Sequence, residues 1–259
     1  MIHLFLSPHL DDVALSAGGL IHKLVSENQK VVVLTFFTEY DENLISHYLH
    51  SEHNDNMNSF IKFYSKRANE DIAFCNKLSA IPIHGKILDC IYRTDQYSEP
   101  MYKNSVMIYS GQIHKSDNAS DMAEDLINKT LLNYQPDYIY APLGIGRHVD
   151  HIIINNLVYN IKGPRKFKIL LYEDFPYVLG KYPIIHPDNL ESALLRNNKF
   201  DKHAILVDIN LKEKMQNILF YESQLEPLFD NKLNLLISLR KYHHSINKAK
   251  TQERFWLIK

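Results

Sequence analysis

The chain has 259 residues, enough for one large α/β domain, and 45% of it is hydrophobic and 11% aromatic, so a folded core is expected and a disordered chain is excluded. Lys and Arg number 29 against 30 Asp and Glu. That balance leaves no electrostatic footprint for nucleic acid or an anionic membrane surface, and points to a small-molecule partner.

The first apolar run, Ile2 to Leu6, is too short and lacks the basic leader of a signal peptide or membrane span, so it reads as a strand that stops at Ser7-Pro8. From Asp12 the apolar residues Leu15, Leu20, Leu24 and Val25 keep helical spacing. Lys30 to Phe37 is a β-branched run of the kind buried on both faces of a parallel sheet, so the chain opens βαβ. Leu44 to Leu78 suits one or two surface helices, and Lys86 to Asp89 a short strand. Ile91 to Ser120 is rich in tyrosine and has no clear period, which marks a functional loop and a candidate substrate wall. Asp121 to Tyr134 reads as a helix, Tyr138 to Ala141 as a strand and Val149 to Tyr159 as a helix. Strands at Phe167 to Tyr172 and Ala204 to Val207 and a helix from Leu211 to Gln224 follow. No repeat or linker divides the chain, so residues 1–259 are expected to form a single three-layer α/β domain around a mostly parallel sheet.

Two segments carry the chemistry. Ser7-Pro8-His9-Leu10-Asp11-Asp12 follows the first strand, and Gly146-Arg147-His148-Val149-Asp150-His151 follows the strand at Tyr138; both fall at carboxyl ends of strands, where open α/β sheets bind ligands. His9 and Asp12 are close enough across a strand-to-helix turn to reach one ion, and His151 supplies a third ligand. Three protein ligands leave a position for water, whose pKa a bound zinc lowers toward ~7. Asp11, beside a ligand, is placed to act as general base, and His148, one helical turn before His151, to stabilise an oxyanion or protonate a leaving amine as an imidazolium. Asp150 is placed to orient a histidine through its ring nitrogen. One zinc per chain is expected, although two histidines and a carboxylate also serve iron(II) and other divalent ions.

These strings resemble the two signatures of the LmbE-like, or PIG-L, family of zinc-dependent N-deacetylases. Arg67-Ala68-Asn69-Glu70, Asp89-Cys90-Ile91-Tyr92-Arg93, Tyr172-Glu173-Asp174-Phe175-Pro176-Tyr177 and Glu253-Arg254-Phe255-Trp256 resemble further segments of it. The resemblance implies a Rossmann-like fold and removal of an N-acetyl group from an N-acetylglucosamine-type sugar or related small conjugate by zinc-bound water. It assigns His9, Asp12 and His151 as zinc ligands, Asp11 as base and His148 as the group assisting the oxyanion. Val13 departs from the family, many of whose members have Glu there, and Gly146 stands where some have a tyrosine near the reaction centre.

Other residues are weighed alongside. Arg67 and Glu70 make an i, i+3 pair, which the resemblance places beside the site; Arg93 divides between a substrate anion and a structural partner. Tyr92, with Tyr97, Tyr102 and Tyr109, can stack on a sugar or anchor a loop. Arg67, Arg93 and Tyr92 are the substrate-binding candidates. His47, His50 and His53 read as a solvated helical stripe in preference to a second metal site. Cys75 and Cys90 sit in no paired motif and read as free thiols of a reducing, cytoplasmic compartment. Two alternatives remain open: a deformylase or other small-acyl amidase using the same site, and a non-catalytic sugar- or nucleotide-binding module. Against the latter, no Gly-rich phosphate loop follows the first strand, and Asp11 and Asp12 would repel a phosphate there.

Overall fold

Hydrophobic runs and amphipathic segments alternate along the chain and set out its elements in order. In the computed structural model these are β1 (Ile2–Ser7), α1 (Asp12–Ser26), β2 (Lys30–Glu39), α2 (Met57–Lys77), β3 (Ile81–Leu88), α3 (Ser105–Ile108) and α4 (Ala119–Tyr134). β4 (Tyr138–Pro142), α5 (Val149–Val158), β5 (Lys168–Tyr172), α6 (Leu190–Arg196) and β6 (Phe200–Asp208) follow. The chain continues through α7 (Leu211–Ile218), α8 (Glu222–Phe229), α9 (Lys232–Ile246) and β7 (Gln252–Ile258). The structure describes residues 1–41, 57–163, 166–180, 189–197 and 200–258, and the side chains of these except 57–65 and 200–203. His47, His50 and His53 lie outside the described residues.

The strands form one seven-stranded sheet in the order β3-β2-β1-β4-β5-β7-β6. The order reverses direction between β1 and β4, which pair in parallel with Leu4 opposite Ile139. Such a switch point opens a crevice at the carboxyl ends of the two strands, and the two histidine segments leave the sheet there. All pairs are parallel except those of β7, which is antiparallel to both its neighbours, β5 and β6.

Side chains alternating across the strands build a core on each face. Leu4, Leu6, Val32 and Leu34 pack with Ile127 and Leu131 of α4 and Ile153 of α5. Phe5, Val31 and Val33 face the other way, onto Ala14, Ala17 and Ile21 of α1 and Phe74 of α2. The expected three-layer, mostly parallel architecture is therefore present. Among these residues is Val13, wholly buried in the second core, so an acid would have no solvent at this position.

Several elements differ from the sequence expectation. β3 begins at Ile81, ahead of the expected Lys86; it tolerates Pro82 because it is an edge strand and needs fewer ladder donors. The expected helix from Leu211 to Gln224 is two helices, broken around Phe220. α9 and β7 were not expected from periodicity at all. Both Cys75 and Cys90 are buried free thiols. Among the described residues no helix is long and apolar enough to cross a membrane.

α1 carries an unusual brace at its middle. The Glu253 carboxylate of β7 accepts hydrogen bonds from Gly19 N (2.9 Å) and Leu20 N (2.8 Å), and Lys214 of α7 donates to both Glu253 Oε1 (2.6 Å) and Ser16 O (3.2 Å). Gly19 permits this approach, since a Cβ there would come within 2.6 Å of Ile209 Cδ1 and 2.8 Å of Glu253 Oε1. Gly19→Ala is expected to destabilise the protein by about 1–3 kcal/mol through overpacking. A thermal melt should then show Tm lowered by several degrees; an unchanged Tm would show that the brace yields at no cost.

Candidate metal centre

The turn after β1 is tied so that its functional groups face the crevice. Ser7 Oγ donates to His9 O (2.6 Å) and accepts from Val13 N (3.3 Å), while His9 N donates to Asp12 Oδ2 (2.7 Å). The second turn is fixed by its own histidine: His148 is the N-cap of α5, and its Nδ1 accepts the backbone N–H of Asp150 (3.2 Å). Gly146, at φ +83°, leaves the space that the Tyr177 ring fills, and a Cβ there would lie 2.5 Å from Tyr177 Cδ1.

Three groupings of potential ligands occur among the described residues, each with its donor atoms within 4.8 Å of one another: His9, His148 and His151; Cys90, His148 and Asp150; and His9, Asp89 and Asp150. Hydrogen bonding separates true donors from neighbours. His9 Nε2 lies 3.1 Å from Asp150 Oδ2, and His151 Nδ1 lies 2.7 Å from Asp174 Oδ1. Each aspartate takes the N–H of its imidazole, so the opposite nitrogen carries the lone pair. Those nitrogens, His9 Nδ1 and His151 Nε2, both lie 3.2 Å from Asp12 Oδ2. His151 Nε2 is buried yet outside hydrogen-bonding geometry with any group. A buried lone pair without a donor is costly, and a cation shared with Asp12 and His9 satisfies it, so the residues fit a divalent metal.

Asp150 itself is fully committed. It accepts from Cys90 N (3.1 Å) and pairs with Arg93, in addition to holding His9. His148, with Nδ1 accepting a backbone proton, keeps its own proton on Nε2, 4.0 Å from Cys90 Sγ. An imidazolium at His148, in which both nitrogens would have to donate, would give up this contact. Burial, together with the neighbouring charge of His9, also pushes its pKa well below the ordinary imidazole value.

Burial works against the charge on Asp12, but His151 and His9 hold it well below the usual carboxylate range. Burial pushes Asp11 upward; Arg67, whose Nη2 donates to Asp11 Oδ1 at 3.0 Å, opposes that shift. Burial would lower His151, yet Asp12 and Asp174 raise it to about 9. His9 is likewise raised well above the ordinary value, against its burial, by Asp12 and Asp150. Protons therefore compete with a metal for both imidazoles at neutral pH. Because these folded-state values are raised, metal affinity should fall as pH drops from about 9. Competition against a chromophoric chelator in a series of buffers measures this; an affinity flat with pH would contradict it.

The centre opens into a cleft of about 260 Å³ lined on the polar side by Asp11, Arg67, Asp89 and Gln224. Ile108, Tyr109, Pro176, Tyr177 and Leu228 form its apolar side. Of the substrate-binding candidates only Arg67 faces this cleft. Arg93 is 6% exposed, sandwiched over the Phe37 and Tyr102 rings and paired with Asp117 and Asp150, which is the structural alternative. Tyr92 is buried, Tyr97 is exposed on the tyrosine-rich loop, and Tyr109 packs edge-on to His148. Asp89, Asp174 and Tyr177 lie in strings covered by the family resemblance but had no role assigned to them, and Gln224 and Leu228 were not candidates. The position of Asp174 just after β5, at the carboxyl edge of the sheet, was the available signal.

Comparison with known proteins identifies the family and the fold. The family described as PIG-L: GlcNAc-PI de-N-acetylase matches residues 4–162, a span that includes both histidine loops. The 2'-N-acetylparomamine deacetylase of Streptomyces fradiae is 25% identical over 174 residues, 67% of this chain. The chain spans 57% of the length of that relative. Among solved structures, the zinc-inhibited form of the teicoplanin deacetylase Orf2 superposes with a TM-score of 0.76 at 20% identity, covering 100% of this chain and 98% of that one. N,N'-diacetylchitobiose deacetylase from Pyrococcus horikoshii, complexed with its inhibitor, gives 0.61 at 16% identity over 99% of this chain and 83% of that one. At such identities the structural likeness is one of fold. The family match covers more than half of the sequence, and with it the chain belongs to the PIG-L family.

Proposed function

We propose that this protein is a metal-dependent N-deacetylase that hydrolyses the acetamide of an amino sugar or a related small N-acetylated conjugate. The observation that carries this reading is the convergence of His9 Nδ1 and His151 Nε2 on Asp12 Oδ2, each imidazole anchored from behind by an aspartate. His9, Asp12 and His151 would hold the ion. When bound, a divalent metal supplies Lewis acidity, polarising the acyl oxygen and acidifying water in the site. Zinc suits this donor set of two imidazoles and a carboxylate.

The protein's own groups do the remaining work. Arg67 occupies Asp11 Oδ1, which leaves Oδ2 to take the proton of the attacking water as its oxygen bonds to the carbonyl carbon. The same oxygen returns that proton to the amine nitrogen as the C–N bond breaks, giving the free amine and acetic acid, which releases its proton to solvent as acetate. His148 Nε2–H donates to the developing oxyanion, and Asp150, through its backbone N–H and its hold on His9, keeps both rings in place. His148→Ala should retain metal and lose about 10²- to 10³-fold in kcat, the usual loss for one oxyanion donor. Because His148 is already neutral, the wild-type rate should show no alkaline limb from its deprotonation. Such a limb abolished in the variant would restore the imidazolium role.

The decisive assay measures amine release from a panel of N-acetylated sugars with metal content determined on the same sample. Release that tracks bound metal is expected. A metal-loaded protein that liberates no amine from any of them, yet frees formate from formamides, would favour the deformylase alternative.

A further inference from the structure

We propose that the C-terminal segment Glu253-Arg254-Phe255-Trp256 is positioning machinery for the metal centre, acting through Glu173 on Asp174 and so on His151. This rests on the metal-site reading above. No residue of this segment touches the crevice. It nevertheless contacts α1, the helix that begins at Asp12, and the loop after β5, which brings Pro176 and Tyr177 to the crevice.

β7 presents successive side chains to opposite faces of the sheet. On one face Glu253 grips the middle of α1, the helix whose first residue is Asp12. On the other face Arg254 and Trp256 converge on Glu173, which is 1% exposed. Arg254 Nη2 donates to Glu173 Oε2 (3.1 Å), its Nε donates to Oε1, Trp256 Nε1 donates to Oε1 (3.0 Å) and Tyr242 Oη donates to Oε2 (3.0 Å). Every donor comes from elements later in the chain than Glu173. The next residue, Asp174, points the other way, accepting from Ile145 N through Oδ2 (2.9 Å) and holding His151 Nδ1 through Oδ1. Phe175 N then donates to Ser16 Oγ on α1 (3.0 Å). The carboxylate of Glu173 is thus the fixed end of a short lever, and Asp174 is its working end. A carboxylate behind a metal-ligating imidazole sets the tautomer and the aim of the ring, so slack at Glu173 is transmitted as a misdirected Nε2 lone pair.

The lever also accounts for a buried glutamate paired with a half-buried arginine at the loop after β5. Apolar residues there would pack as well, but they would give the loop no fixed register. The planar guanidinium, engaged through two nitrogens, does fix one.

The test is a double-mutant cycle read as affinity for Zn²⁺ alone, by chelator competition, well below Tm. Arg254→Met should weaken zinc binding by about 10-fold, and Asp174→Asn by about 10- to 100-fold. In the Asp174→Asn background, Arg254→Met should have no further effect, because the lever's working end is already lost. Arg254→Lys should recover part of the affinity. Asp208→Ala, which removes contacts to Lys250 and Gln252 at the end of the same strand pair, should lower Tm without changing the affinity. Equal affinity in wild type and folded Arg254→Met, or additive losses in the double variant, would overturn the positioning role. A wild-type protein that binds no zinc would instead overturn the metal-site reading on which it rests.

Discussion

Asp11→Asn is expected to bind metal as the wild type does and to lose about 10²- to 10⁴-fold in turnover, the range for removal of a general base. Asn keeps the size of the side chain and can still accept the Arg67 hydrogen bond, so the cleft should keep its shape. What it loses is a site for the water's proton. The pH profile gives an independent check. The base works only when ionised, so the rate should rise with pH through the Asp11 transition, and burial places that transition above the ordinary carboxylate range. Arg67 opposes the upward shift, so Arg67→Met should move this acidic limb to still higher pH. Loss of metal in Asp11→Asn, with retention in Asp12→Asn, would exchange the roles of the two carboxylates.

Both histidine turns were legible because their information is local. His9 and Asp12 lie within one turn of chain, as do His148 and His151, and each turn follows a strand whose β-branched or aromatic run is unmistakable. The βαβ opening then implied a switch point that brings the two together. Asp174 was hidden for the opposite reason: no periodicity tells which distant imidazole an aspartate after β5 will meet. Arg93 was ambiguous because it lies in a tyrosine-rich segment without a period, whereas its partners, Asp117 and Asp150, come from distant parts of the chain. β7 escaped notice because Gln252, Glu253 and Arg254 break the apolar pattern; Gln252 and Glu253 are buried and Arg254 half-buried, each with a partner distant in sequence, Asp208, the α1 backbone and Glu173. The His148 proton is the subtlest case. The sequence shows an imidazole near a metal, but its protonation follows from a backbone N–H that exists only once α5 has formed.

His151→Ala is expected to abolish both metal binding and turnover, with the loss of affinity exceeding the ~10- to 100-fold typical of an outer partner. His151 is the proposed ligand with the least freedom: it is fully buried, anchored to Asp174, packed edge-on against Tyr177, and its remaining nitrogen faces Asp12. Stability should report the same change. Asp174, 1% exposed, would lose its imidazole donor and keep only Ile145 N, and an under-satisfied buried polar group costs about 1–3 kcal/mol. The metal-free wild type is therefore the proper reference for Tm, since added metal stabilises only the protein that can bind it. The expected order of zinc affinity is wild type, then Asp174→Asn, then His151→Ala. If His151→Ala still took up one equivalent of zinc while His148→Ala did not, the ion would be held by the His9 and His148 rings, and the tautomer argument that assigns His148 as an N–H donor would be wrong.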